Sequence, residues 1–186
     1  MLHWSTIALF RAVDLSNSAY TNENCAILLT SHLTATNSSG KYDAVFAIDA
    51  GDGKVLAEAI LNAVNIAMET GGFPADTQAG DIRFPFRNGT TLVSLRDVGG
   101  SICANSWAKP SVYDADCNAM DDSQINNIMP GTPVAFAVDP IPYAVDTNIG
   151  IRLELSEIML LPPGTGGTPA YLSAQKRTFT LEDFKS

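Results

Sequence analysis

The sequence predicts a mainly β protein: a small antiparallel barrel capped by one amphipathic helix at about residues 54–70. Strand-like segments lie on both sides of that helix-like segment, an Asn-Gly hairpin signal follows it, and no β-α-β unit repeats. The OB-fold is a barrel of this kind. A β-sandwich or jelly roll is the rival architecture, but a long helix in the middle of the chain is less natural there.

Besides a further short strand with a proline break in "SICANSWAKPSVYDAD" (101–116), four segments have the apolar patterns of β-strands. "CAILLTSHL" (25–33) and "YDAVFAID" (42–49) come before the helix-like segment, and the second is apolar on most sides. After it, "TPVAFAVDP" (132–140) and "IGIRLELSEIMLL" (149–161) alternate apolar and polar residues, which places Arg152 on the outward face of the last strand. We therefore expect each strand to bury at least one face in the barrel.

The segment that ends before Gly71 has the periodicity of an α-helix. Its apolar residues recur at helical spacing, at Leu56, Ala59, Ile60, Ala63, Val64 and Ala67. Asp52 or Gly53 can serve as the N-cap, and the pair Gly71-Gly72 stops the helix. The pattern predicts a helix that lays one face over the barrel.

The pair Asn88-Gly89 is typical of a tight turn between two hairpin strands. In the arm before this turn, Arg83 and Arg87 share one face, and two phenylalanines share the other. We therefore expect a hairpin with cations on one side.

We divide the chain into three parts. Residues 1–23 form an N-terminal segment without an assigned structure, residues 24–162 form the barrel domain, and residues 163–186 form a flexible C-terminal tail. No apolar run is long enough to span a membrane, and the start of the chain lacks the basic region of a secretory signal. The three cysteines form no close pair, which favours reduced thiols in an intracellular protein over a disulfide or a metal site.

The net charge of −9 argues against binding nucleic acid through the whole surface. It is compatible with a local basic groove, because contact with phosphate depends on where the cations lie. The carboxylates crowd residues 114–122 and 139–146, whereas several cations lie between residues 83 and 109. The charges are thus segregated along the chain.

The glycine-rich stretch "GDGK" at 51–54 lacks the pattern of a phosphate-binding loop. Ile48 stands where the first glycine should be, and Val55 replaces the Ser or Thr that holds magnesium. A strand-to-helix turn that needs glycine flexibility is the preferred interpretation. No other pattern indicates catalysis, so we expect a protein that is not an enzyme and uses no cofactor or metal.

Cations and aromatic rings interleave in the middle of the chain, at Arg83, Phe84, Phe86, Arg87, Trp107, Lys109, Tyr113 and Tyr143. Proteins that bind single-stranded nucleic acid combine cations that follow the backbone with rings that stack on bases. The phenylalanines also fit a simpler role in the core. The pattern by itself leaves nucleic-acid binding as one hypothesis among others.

Three stretches in this order resemble a known family. They are "GKYDAVFAIDAGDGKVLAEAILNAVNIAMETGG", then "IRFPFRNGTTL", and then the run from "SWAKPSVYDADCNAM" through "PGTPVAFAVDPIPY" to "IGIRLELSEIMLL". The order is similar to that of the replication single-stranded-DNA-binding proteins of bacteriophages, which have an OB-fold. The resemblance covers about residues 24–161 and implies a non-catalytic protein that coats single strands during replication, recombination or repair.

The cations and aromatic rings on turns and outward strand positions define the expected binding groove. Arg83, Arg87, Lys109 and Arg152 are expected to contact phosphates on one barrel face, while Trp107, Tyr113 and Tyr143 are expected to stack on bases. Family members end in an acidic tail with an aromatic residue, which Glu182, Asp183 and Phe184 match weakly because Lys185 and Ser186 follow. Such a tail implies docking on a replication polymerase or helicase.

Several alternatives stay open at this point. A structural protein, such as a phage capsid cement or decoration subunit, has the same acidic, β-rich and cofactor-free composition. The N-terminal segment 1–23 could then be an arm exchanged between subunits, and a homo-oligomer is compatible with both hypotheses. A nucleotide-binding enzyme ranks third. We expect a location in the host cytoplasm and no membrane partner.

Overall fold

The computed structural model describes residues 26–162. Its strands are β1 Ala26–His32, β2 Tyr42–Ile48, β3 Ile82–Arg83, β4 Phe86–Arg87, β5 Gly100–Ser106, β6 Ser111–Tyr113, β7 Pro133–Val145 and β8 Asn148–Leu160. Its helices are α1 Ala50–Thr70, α2 Leu92–Val98 and α3 Asp122–Ile125, with a 3-10 turn at Ala79–Asp81. The segment 1–23 and the tail 163–186 lie outside the described residues, so the statements about them, and the domain boundaries, stay predictions.

Five strands close a barrel. β1 pairs with β2, β2 with β5, β5 with β8, β8 with β7, and β7 with β1. Four of these pairings are antiparallel, whereas β5 and β8 run parallel, with Ala104 beside Leu153. The predicted OB-fold-like barrel is confirmed, with the difference that its closure by a parallel pair makes the sheet mixed.

The barrel is filled by the inward residues of every strand. The rings of Phe46 on β2 and Phe136 on β7 stack in the centre with centroids 4.0 Å apart. Leu28, Ile102 and Leu153 pack around them and are fully or almost fully buried. The alternation in the sequence therefore assigned these strand faces correctly.

Helix α1 starts earlier than the sequence predicts. Its N-cap is Asp49, whose side chain accepts a hydrogen bond from the backbone N–H of Asp52. The predicted cap, Asp52 or Gly53, is therefore wrong, because both residues lie in the first turn of the helix. The predicted end is confirmed, since Gly71 adopts a left-handed conformation with φ of 74° at the C-cap.

The "GDGK" stretch is thus part of α1 and not a flexible turn. Gly53 is buried where α1 crosses α2, and a methyl group in place of its hydrogen would overlap the carbonyl oxygen of Leu95. This glycine allows the two helix backbones to approach closely. The sequence contains no local sign of that contact, because Leu95 lies 42 residues further along the chain.

The predicted hairpin is half correct. Asn88 and Gly89 form the tight turn, with φ of 52° and 74°, and the N–H of Thr90 bonds to the carbonyl of Arg87 at 3.0 Å. No second strand follows, however. Thr91 accepts a bond from the N–H of Ser94 and caps helix α2, so β4 pairs with β5 instead.

The acidic stretch 114–122 forms a turn and a helix cap. The carboxylate of Asp114 accepts N–H groups from Asp116 and Asn118, and the backbone bond from Asn118 holds the pKa of Asp114 below its usual value. Asp121 caps α3 by accepting the N–H of Gln124.

Across residues 26–162 no helix is long and apolar enough to cross a membrane.

Candidate nucleic-acid interface

The outward sides of three barrel strands form a polar, half-buried surface. In the middle of β2 and β8, buried residues alternate with partly exposed ones, whereas on β5 Asn105 alone is partly exposed. One polar side-chain atom of each of Asn105, Arg152 and Glu154 is buried from solvent. We call this surface the outer face and define it by Asp43, Val45, Cys103, Asn105, Arg152 and Glu154. Most of the predicted binding residues lie on it or along its borders.

Arg83 and Arg87 reach the outer face through one short segment. β3 pairs with the start of β8, at Gly150, and β4 pairs with the start of β5. The short segment from β3 to β4 therefore crosses from β8 to β5 at the end of the barrel where these two strands are not paired with each other. Both arginines are exposed. The guanidinium of Arg87 contacts the thiol of Cys103, whose pKa is nevertheless raised because the thiol is largely buried.

Tyr143 lies next to Arg83. It pairs with Gly150 across the β7–β8 hairpin, and a Cβ on Gly150 would lie 2.8 Å from the Tyr143 hydroxyl. The backbone of Arg83 approaches the same glycine from the other side. The missing side chain at position 150 therefore lets the tyrosine ring lie across β8 towards Arg83.

Arg152 is on the outer face, as predicted, but it is not available as a simple phosphate ligand. Its guanidinium forms an ion pair with Glu154, and the two side chains are only 27% and 28% exposed. Partial burial lowers the pKa of Arg152, although a guanidinium remains charged at neutral pH. The second carboxylate oxygen of Glu154 accepts a bond from the Ser106 hydroxyl at 3.0 Å.

Trp107 follows β5 directly and is 61% exposed. The ammonium of Lys41, at the end of the β1–β2 loop, lies 4.5 Å from the centre of its ring. The sequence reasoning missed Lys41, since the two residues are brought together only by the pairing of Tyr42 with Ser106. A lysine just before a strand is a weak signal when the partner strand is unknown.

Two of the predicted site residues, Lys109 and Tyr113, make their contacts with other parts of the chain. The ammonium of Lys109 forms an ion pair with Asp122 at the start of α3. Tyr113, on β6, pairs with Met159 near the end of β8, nine residues and about 30 Å along that strand from Gly150. These two side chains lie away from the arginines.

A row of polar residues crosses the outer face at one level. Strand register places His32, Asp43, Asn105, Glu154 and Asp139 side by side, from β1 to β7. We call its three carboxylates, Asp43, Glu154 and Asp139, the acidic row. Arg87 and Tyr143 lie on one side of this row and Trp107 lies on the other.

The remaining charges reinforce this arrangement. Within the described part of the chain, the only lysine and arginine outside the outer face, its borders and the Lys109 ion pair are Lys54 on α1 and Arg96 on α2. A groove of about 500 Å³ runs from Arg83 to the tip of the β7–β8 hairpin. Its lining is acidic, with Asp76, Asp81 and Asp146 beside Arg83, so it does not extend the cationic surface. No three His, Cys, Asp or Glu side chains of residues 26–162 are placed to hold a metal ion.

Comparison with known proteins identifies the fold. No protein-family model matches the chain, and no curated protein matches its sequence. The single-stranded-DNA-binding protein of bacteriophage Enc34 superposes with a TM-score of 0.58 at 14% identity, covering 78% of this chain and 84% of that one. The fold is that of phage single-stranded-DNA-binding proteins. The fold implied by the resemblance is therefore confirmed.

Two further structures support the same fold. The Enc34 protein in complex with single-stranded DNA matches with a TM-score of 0.58 at 11% identity, over 78% of this chain and 86% of that one. The single-stranded-DNA-binding protein gp2.5 of bacteriophage T7 matches with a TM-score of 0.55 at 15% identity, over 78% and 91%. At such low identity, the roles of individual residues rest on the geometry of this chain.

Proposed function

We propose that the protein binds single-stranded DNA on the outer face, without sequence preference and without catalysis. The observation that carries this proposal is that the outer face and its borders hold most of the cations of residues 26–162. In OB-folds, the second and third barrel strands and the adjoining loops bind oligonucleotides. Here those strands are β2 and β5, and the loop between the first two strands brings Lys41 to Trp107.

The contacts follow from the chemistry of the side chains. Arg83 and Arg87 donate to phosphate oxygens, and Lys41 adds a third cation at the other end of the surface. The rings of Trp107 and Tyr143 stack on bases, which gives affinity without a sequence code because every base has a π-face. Lys109 and Tyr113 are not part of this proposed site.

The biological context is also part of the proposal. The similar structures named above come from bacteriophages, and one of them contains single-stranded DNA. We infer a role in phage DNA replication, recombination or repair in the host cytoplasm. Docking of Glu182, Asp183 and Phe184 on a replication polymerase or helicase stays a prediction, because these residues lie beyond the described range.

A fluorescence titration tests the binding. In a Trp4→Phe variant, Trp107 is the only indole, and we expect a single-stranded oligonucleotide to quench its emission. Log affinity should fall with log salt with a slope of about −2 to −3, since three or four cations each contribute about 0.7 on single strands. The absence of binding at low salt contradicts the proposal. The chain should then be tested for assembly on phage particles, as the capsid hypothesis requires.

A further inference from the structure

The acidic row lies in the middle of a surface that is proposed to hold a polyanion. Its residues are outward-facing, and the strand register aligns them on neighbouring strands, from Asp43 on β2 to Asp139 on β7. A DNA strand that touches both Arg87 and Trp107 must cross this row. Arg87 pairs with Ser101, and Trp107 lies six positions after Ser101, or about 20 Å along β5 and the residue that follows it. A phosphate at this crossing point would lie beside carboxylates.

We propose that the acidic row, and Glu154 above all, keeps phosphates off the centre of the outer face and so makes the site prefer single strands over duplex DNA. This inference rests on the proposed function. It assigns Glu154 and Asp43 as specificity-determining residues: Asp43 repels phosphates, and Glu154 neutralises Arg152.

Glu154 acts on the site through Arg152. Its carboxylate lies beside Asn105, in the centre of the face, and holds the guanidinium of Arg152 in an ion pair. The hydrogen bond from Ser106 fixes the carboxylate in this position. Because the Arg152–Glu154 pair has no net charge, Glu154 acts by occupying a cation that would otherwise attract a phosphate.

Asp43 is fixed in a similar way on the neighbouring strand. One of its carboxylate oxygens lies 2.8 Å from Nδ1 of His32, and the other accepts a bond from the side-chain amide of Asn37. Its side chain is 21% exposed. The carboxylate therefore has little freedom to turn away from an approaching phosphate.

Single-stranded and duplex DNA should respond differently to the acidic row. A single strand is flexible and can cross the acidic row with a sugar or a base while its phosphates contact Arg87 and Lys41. A duplex is stiff and carries a phosphate about every 1.7 Å of its axis, so it cannot turn its charges away from the row. The repulsion therefore weakens duplex binding more than single-strand binding.

The substitution Glu154→Gln tests the inference. Glutamine keeps an acceptor for Ser106, removes the negative charge and releases Arg152. We expect the affinity for a duplex oligonucleotide to rise about tenfold and the affinity for a single strand of the same sequence to rise about threefold or less. The selectivity for single strands, measured by titration at one low salt concentration, should therefore fall at least threefold.

Two further variants make the result decisive. Glu58→Gln removes one negative charge from an exposed position on α1, far from the outer face, and should leave the selectivity unchanged. Asp43→Asn should change it in the same direction as Glu154→Gln, so the test does not depend on one variant folding. Thermal unfolding monitors the fold of each variant.

The outcomes separate the inference from the proposed function. Wild-type protein that binds no single-stranded DNA contradicts the proposed function itself. Wild-type binding with unchanged selectivity in both Glu154→Gln and Asp43→Asn refutes only the role of the acidic row. The same holds if Glu58→Gln lowers the selectivity as much as they do, since net charge alone would then explain the effect.

Discussion

The two layers of the molecule, the α1–α2 helix pair and the outer face, are organised by different forces. In the helix pair, the contact depends on shape, because Gly53 lets the backbone of α1 rest against Leu95. On the outer face, the contacts depend on charge, because Arg152 is paired with Glu154 and Lys41 lies over Trp107. The helix pair should therefore be sensitive to an added methyl group, and the outer face should be sensitive to a change of one unit of charge.

This difference separates stability from binding. Close packing is lost when one atom is added, so substitutions between the helices should affect unfolding. Exposed charges contribute little to stability, so substitutions at the exposed positions of the outer face and its borders should affect ligands more than the fold. The following predictions test this separation, starting with the largest effect.

Gly53→Ala should be the most destabilising of these changes. The new methyl group overlaps the carbonyl oxygen of Leu95, which forces α1 and α2 apart. We expect the free energy of unfolding to fall by about 2–4 kcal/mol, measured by urea denaturation. The sign is opposite to that of an ordinary helix position, where alanine is better than glycine by about 1 kcal/mol.

Gly51→Ala is the matched control, because Gly51 is exposed in the first turn of the same helix. This substitution should stabilise the protein or leave its stability unchanged. Equal losses in both variants would show that helix crossing is not the cause.

Trp107→Ala should produce the largest loss of binding without a loss of stability. Base stacking on an aromatic ring contributes about 1–3 kcal/mol, so the affinity for a single strand should fall by about tenfold to a hundredfold.

Lys41→Met tests the neighbouring cation. It should reduce the slope of log affinity against log salt by about 0.7. Oligonucleotide titrations by anisotropy measure both effects, and unaltered affinity in Trp107→Ala would remove this ring from the site.

Asp52 should make the helix layer sensitive to pH. Burial, with a smaller contribution from the nearby Asp49, raises the pKa of Asp52 from 3.8 to about 6 in the folded protein. The folded state therefore binds the proton more tightly, and the stability that this group contributes below pH 4 is lost as the pH rises through 6. Because the carboxyl is partly exposed, we expect the change to be about 1 kcal/mol.

The substitution Asp52→Asn checks this assignment. It should stabilise the protein at pH 8 and flatten the change in unfolding free energy between pH 8 and pH 5. Urea denaturation at the two pH values measures the difference. An unchanged pH dependence would mean that other groups cause it.

The last prediction concerns a pair of tyrosines. Tyr143→Ala should weaken single-strand binding by about tenfold, since its ring lies beside Arg83 on the proposed path. Tyr113→Ala should leave the affinity unchanged, because β6 lies at the far end of β8. A loss in Tyr113→Ala equal to that in Tyr143→Ala would mean that the DNA follows a different path.

The sequence was informative where one segment decides the structure. The stripe from Leu56 to Ala67 and the alternation around Phe136 are local patterns, and both correctly predicted which residues face the core. The second hairpin arm was wrong because the cap formed by Thr91 and Ser94 prevailed over a strand-like apolar pattern. Capping and alternation are short signals that can occur in the same residues.

The candidate site was harder to predict because it depends on strand register. Arg83 and Tyr143 are 60 residues apart in the chain and meet only through β8. The pairing of Arg152 with Glu154 is a contact at i and i+2, which sequence spacing allows on any strand, but its burial depends on the closed barrel. A single sequence does not show which residues pair across neighbouring strands or how the strands close into a barrel.

The described barrel begins and ends on neighbouring strands. Ala26 at the start of β1 and Leu160 at the end of β8 pair with the same residue, Val134, from its two sides. The two ends are therefore about 10 Å apart. A linker of a few residues could join them in a circular permutant opened at the exposed turn of Asn88 and Gly89. Such a chain would keep the five strand pairings that close the barrel. Residues 1–25 or 163–186 could then be attached at the new termini or left out.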